Sequence, residues 1–206
     1  ICKMCGIPHE VGSTGFGVAH AARIALEHAG ISINGATIAI EGFGNVGTFA
    51  CKFLEAWGAK IVAVSDSKGT AYKENGLDYK TLMKTKKQTG SVIHYNGASH
   101  LLKEDIFTLA VDVLIPAALP DVINERNVKT VHAKIIVEGA NIPMRHDIEE
   151  QLSARGVLIV PDIVANAGGV ISSYAEHKGY TAKKMFALVE EKIGEEPTFN
   201  CPCDYE

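Results

Sequence analysis

The chain has 206 residues, 47% of them hydrophobic and 21% charged, with a formal net charge of −4. That is apolar material enough for one large domain or two small ones. A mildly acidic balance with scattered lysines gives no reason to expect nucleic acid as partner, and no apolar run approaches the roughly eighteen residues of a membrane span.

Taken in order, residues 1–12 carry no period and include Pro8 and Gly12, so they read as an irregular lead-in. Ser13 or Thr14 is placed to cap a helix running to Ala29, with Val18, Ala21, Ala22, Ala25 and Leu26 at helical spacing and Gly30 as its stop. This helix is expected to pack across the edge of a sheet. The short apolar run Thr37 to Glu41 then reads as a buried strand, followed by a helix from Asn45 to Trp57 and a second strand from Lys60 to Ser65 that ends at Asp66. Asn75-Gly76 signals a tight turn, Asp78 caps a helix to about Thr89, and Gly90 ends it.

Ser91 to Asn96 is expected as a short strand, and Glu104 to Leu109 as a short helix or turn. Val111 to Ile115 is a buried strand closed by Pro116, and a helix near Glu125 to Thr130 precedes the strand Ala133 to Glu138. Asp147 to Arg155 reads as a helix, Val157 to Val160 as a strand, and Gly168 to Ile193 as helical with a break at Gly179. Residues 194–206 look like a loose polar tail. Helices alternate with strands that are near-continuously apolar, which predicts an α/β, Rossmann-like doubly wound parallel sheet with helices on both faces, formed by residues 13–193 as one domain.

Of five cysteines, Cys2, Cys5, Cys201 and Cys203 lie at the two ends and Cys51 within the domain. An odd number in a chain of this length does not describe a disulfide scaffold. C-x-C is a poor spacing for completing a zinc site with Cys2 and Cys5, so reduced thiols are expected. His94, His100, His132 and His146 stand apart without metal-ligand spacing, so no metal is expected. With no leader sequence, the protein is expected to be cytoplasmic. The chain opens at Ile1 without a methionine, which suggests a piece of a longer protein.

The chemistry is expected at Gly42-Phe43-Gly44-Asn45-Val46-Gly47. Gly42 permits a tight turn out of the strand, Gly44 lets backbone approach a pyrophosphate, and Gly47 lets the helix pack closely on the strand. The helix N-terminus then offers N–H groups and its positive dipole end to the phosphates. Asp66, about twenty residues on, is placed to accept hydrogen bonds from an adenosine ribose, so a dinucleotide is the expected ligand. The other strand ends, at Pro116 to Ala118, Gly139 to Asn141 and Pro161 to Gly169, are rich in Gly, Ala and Asn. Asn141 and Asn166 are suited to a carboxamide or ribose hydroxyl, or alternatively to closing their own turns. No lysine, histidine or carboxylate pair at these late strand ends reads as a general acid or base. Glu138 and Asp162 are the carboxylates there, on different strands.

Five blocks, Glu41 to Gly47, Val62 to Gly69, Leu114 to Ala118, Val137 to Asn141 and Pro161 to Val170, closely resemble in order and spacing the nucleotide-binding domain of glutamate dehydrogenases. The resemblance covers about Ser13 to Ile193, and leucine, phenylalanine and valine dehydrogenases share much of it. It implies reversible oxidative deamination of L-glutamate to 2-oxoglutarate with NAD or NADP, and a homo-oligomer, usually a hexamer, for the whole protein. By position, Thr14 would hold the nicotinamide carboxamide, and Gly44, Asn45 and Val46 would meet the pyrophosphate. Asp66 and Ser67 would flank the adenosine ribose, with Lys68 and Ser67 as candidate partners of a 2′-phosphate. Ala117 would lie near the nicotinamide-side ribose, Asn141 and Asn166 would border nicotinamide and substrate, and Ser173 matches the serine that binds the glutamate side-chain carboxylate.

Two departures stand out. Phe16 occupies a position where many members have arginine. The family's second domain, with its catalytic lysine and aspartate, has no counterpart here, so the chain is expected to bind coenzyme without turnover. The competing readings are a non-catalytic NAD(P)-sensing module and another amino-acid dehydrogenase of the same family.

Overall fold

The computed structural model describes residues 12–195, so the four terminal cysteines and most of the lead-in and tail lie outside the described residues. A seven-stranded sheet forms the centre, in the spatial order β4-β3-β2-β1-β5-β6-β7. Its strands are β1 (Thr37–Glu41), β2 (Lys60–Asp66), β3 (Gly69–Tyr72), β4 (Ser99–Leu101), β5 (Val113–Pro116), β6 (Ile135–Val137) and β7 (Leu158–Val160). The chain works outward from β1 through β4, then returns to place β5 on the other side of β1 and works outward again. Strand order therefore reverses between β1 and β5, which in open sheets is where a ligand crevice opens.

Five strands are parallel to one another, and at one edge of the sheet β3 runs antiparallel to both of its neighbours, β2 and β4. The Rossmann-like parallel sheet is present as expected, with this antiparallel edge added to it. β3 begins at Gly69 directly after β2, so only a hairpin fits between them, and the Asn75-Gly76 turn follows that hairpin rather than making it. The expected strand from Ser91 to Asn96 is instead a 3-10 turn at Val92–His94, because Ser91 and Val92 turn inward to bind Asp66. The expected helix near Glu125 shrinks to a 3-10 turn at Val128–Thr130.

The helices are α1 (Ser13–His28), α2 (Asn45–Ala56), α3 (Tyr79–Thr89), α4 (His146–Ala154), α5 (Asp162–Ala165), α6 (Gly168–His177) and α7 (Ala182–Glu195). None is long and apolar enough to cross a membrane. Alternation along the strands divides the core in two. Ile38, Ile40, Val113, Ile115, Ile135 and Val137 join Leu26 and Leu54 on the face covered mainly by α1, α2, α6 and α7. Ala39, Leu114 and Ile136 join Ile106, Ile123, Val128 and Leu152 on the face covered by α4 and 3-10 turns. Both faces are sealed, as a continuous apolar strand requires.

α1 does not lie across the sheet edge as expected. It packs between α2 and α7 on the sheet's face, in contact with β6 and β7. Its cap also differs from the expectation. Gly12 is the N-cap, in the left-handed region at φ 79°, with Phe16 N–H donating to its carbonyl at 2.9 Å. A side chain at 12 would collide with the Phe49 ring. Ser13 and Thr14 consequently fall inside the first turn, which turns Thr14 toward the crevice. At Asp78 the capping expectation holds, since its carboxylate accepts from Thr81 N–H at 2.7 Å, and the Thr81 hydroxyl first, then that N–H, hold its pKa below the usual carboxylate range.

Candidate functional site

At the exit of β1 the backbone is shaped by missing side chains. Gly42 has φ 94°, and a Cβ there would meet Ala118 Cβ at 2.6 Å, so the turn between β1 and the loop after β5 closes only around hydrogen. At Gly47 a Cβ would stand 1.9 Å from the Gly42 carbonyl oxygen, which is why α2 can start directly beneath the turn. Gly44 is different. It is exposed, nothing lies within 4 Å of where its Cβ would be, and as N-cap of α2 it supplies no side-chain acceptor. No acidic residue occupies the first turn of α2 either. The positive end of the helix dipole therefore lies at an exposed turn with open space beside Gly44, the arrangement that suits phosphate oxygens.

Beside this turn, across the ends of β5, β6 and β7, a cavity of about 830 Å³ opens, a volume suited to a drug-sized group. Thr14, Val46, Ala117, Asn141, Asn166 and Ser173 all line it, bringing residues from six separate segments to one place. Asn166 Nδ2 donates to Asn141 Oδ1 at 2.7 Å, tying the loop after β6 to the end of α5. Ser173 is exposed and its hydroxyl donates to the Gly169 carbonyl at 3.3 Å within α6.

The residues at the end of β2 stand apart from that cavity. Ser67 and Lys68 are exposed, while Asp66 is 8% exposed and turned inward. Its carboxylate accepts from Lys68 N–H at 3.0 Å, Ser91 Oγ at 2.9 Å and Val92 N–H at 2.8 Å. Asp66 thus anchors the chain that returns after α3, a structural task that the sequence did not disclose. Lys86, which drew no notice in the sequence, lies at the last turn of α3. Its Nζ donates to the Phe43 carbonyl at 2.6 Å and sits 5.5 Å above the Phe43 ring, placing a cation on the outer side of the glycine turn.

Two buried glutamates brace the strand ends. Glu41 is fully buried at the end of β1; its Oε2 accepts from Ala118 N–H at 3.2 Å and its Oε1 lies 3.6 Å from Lys103 Nζ. Burial raises its pKa, and the Lys103 charge opposes that rise. Glu138, 1% exposed just beyond β6, accepts from Asp162 N–H at 3.0 Å, but its surroundings are acidic. Burial first, then the charges of Glu149 and Asp162, push it up to about 8, so it carries a proton at neutral pH. Its Oε2 is committed to Asp162 N–H, which makes it a brace between strand ends.

Three comparisons bear on this geometry. A family model described as Glutamate/Leucine/Phenylalanine/Valine dehydrogenase matches residues 5–196. The chain belongs to that dehydrogenase family. It is 46% identical over 174 residues to the glutamate dehydrogenase of Aeropyrum pernix, an overlap of 84% of this chain and 42% of that one. It is 44% identical over 174 residues to the NADP-specific glutamate dehydrogenase of Saccharolobus shibatae, covering 84% and 41%. The crystal structure of hetero-hexameric glutamate dehydrogenase from Thermus thermophilus in a Leu-bound form superposes with a TM-score of 0.81 at 26% identity, over 90% of this chain and 45% of that one. The chain thus spans less than half the length of the dehydrogenases it matches.

Against the dehydrogenase pattern, Phe16 has a clear local role. Its ring meets Phe53 and Phe186 edge-on at 4.9 Å each and stacks near His20, so it joins α1, α2 and α7 in an aromatic cluster rather than lining the cavity. His20 is 3% exposed there, and burial lowers its pKa, keeping the imidazole neutral. Among the described residues no group of three or more His, Cys, Asp or Glu is arranged to hold a metal.

Proposed function

We propose that residues 13–193 are the coenzyme-binding half of a glutamate dehydrogenase, which in the whole protein oxidatively deaminates L-glutamate to 2-oxoglutarate and ammonia with hydride transfer to NAD(P). The observation that carries this reading is the exposed start of α2 behind Gly44, without a side-chain cap or an acidic residue in its first turn, beside the cavity at the β1–β5 reversal. The residues fit a dinucleotide. The N–H groups at Gly44, Asn45 and Val46 would hold the pyrophosphate, Ser67 and Lys68 would lie along the adenosine ribose, and Ala117 would lie beside the second ribose. Thr14, Asn141 and Asn166 would hydrogen-bond the carboxamide and hydroxyls. When bound, the nicotinamide supplies the site that accepts hydride.

Ser173, exposed on the cavity wall, is suited to receive a substrate carboxylate, which supports glutamate over apolar amino acids. The catalytic lysine and aspartate belong on this reading to the other half of the protein, and so does most of the contact surface of a homo-hexamer. The compartment proposed is the cytoplasm. The ribose end favours the 2′-phosphorylated coenzyme, because the Asp66 charge is occupied by three internal donors while Lys86 and Lys68 supply cations there.

Titrating the chain with NADPH and with NADH, following nicotinamide fluorescence, tests both statements. Saturable binding with NADPH the tighter ligand is expected. Failure of both to bind at millimolar concentration removes the coenzyme reading, and tighter NADH removes the phosphate preference.

A further inference from the structure

Among the described residues two non-glycine residues have positive φ, Asp121 at 55° and Ile142 at 46°. A β-branched side chain in the left-handed region is a genuine outlier, since its Cβ substituents crowd the backbone carbonyl. The two are joined. Asp121 N–H donates to the Ile142 carbonyl at 3.0 Å, and Ile142 N–H donates to Asp162 Oδ2 at 2.8 Å. Ile123 N–H then donates to the Pro143 carbonyl at 3.1 Å, and Arg145 pairs with the Asp121 carboxylate at 3.3 Å. One strained peptide thereby clamps the loops after β5, β6 and β7 to one another.

The strain secures no buried contact for the side chain that suffers it. Ile142 is 62% exposed, yet it lines the cavity together with Thr14, Asn141 and Asn166. Strain of this kind persists where the surroundings over-determine it and tends to gather at binding sites. Resting on the coenzyme reading above, the geometry points to Ile142 as an apolar contact residue for the nicotinamide ring. The Asp121–Ile142–Asp162 junction holds its side chain in the cavity mouth at the expense of backbone strain. A flat heteroaromatic ring fits such a residue, since one face can lie on the branched aliphatic side chain while its carboxamide reaches the neighbouring asparagines.

The test uses Ile142→Gly and Ile142→Ala in the full chain. Each is titrated with NADH and NADPH and with their nicotinamide-free counterparts, ADP-ribose and 2′-phospho-ADP-ribose. Both variants are expected to bind the intact coenzyme about fivefold to tenfold more weakly, consistent with partial loss of one apolar contact, while the fragments bind within twofold of wild type. Ile142→Gly, which relieves the strain that Ile142→Ala retains, is expected to melt about 2–4 °C above Ile142→Ala. Unchanged affinity for the intact coenzymes in both variants overturns the inference. So does equal weakening of the fragments, which would mean that the loop shapes the crevice generally, and so does an Ile142→Gly that melts no higher than Ile142→Ala. If wild type itself binds no intact coenzyme, the coenzyme reading falls first, and the two failures are thereby told apart.

Discussion

The two ends of the crevice are built by opposite means. Around β1 and α2 the surface is made of backbone, where absent side chains leave an exposed helix start and an open approach at Gly44. Across β6 and β7 it is made by side chains that lace one loop to the next: Glu138 to Asp162, Asp162 to Ile142, and Asn166 to Asn141. The first end owes its shape to close backbone approaches that leave no room for a side chain, at Gly42 against Ala118 and at Gly47 against the Gly42 carbonyl. The second depends on partners some twenty to twenty-five positions apart, and one of them is a carboxylic acid whose charge state follows pH. A single substitution should therefore act differently at each end.

The sharpest division is expected between two glycines of the same turn. Gly47→Ala drives a methyl into the Gly42 carbonyl, so unfolding measurements should show a loss of about 3 kcal/mol or more. Gly44→Ala meets nothing in the fold, so its stability should stay within about 0.5 kcal/mol of wild type. Coenzyme affinity should nonetheless fall at least tenfold, on the order of 1.4 kcal/mol, because the methyl stands where the pyrophosphate must approach. A destabilised Gly44→Ala with intact binding would erase the distinction.

At the laced end the expected effect is pH-dependent. The folded pKa of Glu138 is raised to about 8 from an ordinary 4.5. Between those values the unfolded chain has released a proton that the folded chain keeps, so this group's contribution is full below about 4.5 and is lost as pH rises to about 8. The loss should amount to a few kcal/mol in denaturant unfolding followed across that range, on the order set by linkage. Glu138→Gln keeps an acceptor for Asp162 N–H and should flatten the profile; a variant profile that matches wild type would show that Glu138 is not the group responsible. Glu149 and Asp162 are the titratable groups acting on this position, and Glu149 itself pairs with His146.

The smallest effect belongs to the outer side of the glycine turn. Lys86→Met should weaken NADPH about fivefold and NADH less than twofold, as expected for one partly exposed cation facing a phosphate. Equal weakening of both coenzymes would mean that Lys86 serves the turn through the Phe43 carbonyl alone.

The same contrast explains what could be read from the residues. The glycine turn, the helix after it and the five parallel strands follow from local spacing, because a 3.6-residue period or a G-x-G-x-x-G run constrains its own neighbours. The antiparallel edge strands β3 and β4 carried too few residues to show a period. Asp66 sits where a ribose acceptor was expected, but its inward turn toward Ser91 and Val92 depends on a segment twenty-five residues away. The cavity wall formed by Thr14 and Ser173, near opposite ends of the described chain, was placed by resemblance and is assembled by packing that no single stretch encodes. Ile142 is the plainest omission, since nothing in its own sequence neighbourhood requires a left-handed isoleucine.

The meeting of α1 and α7 carries a consequence for biosynthesis. Phe16 lies against Phe186, and Arg23 pairs with Glu190 across 167 positions. The surface that α1 turns toward α7 therefore leaves the ribosome well before α7 and waits on the order of ten seconds for its cover. During that interval the nascent protein displays an aromatic patch around Phe16, Phe53 and Trp57. Any premature stop before α7 would make that exposure permanent and leave a sticky, chaperone-dependent product.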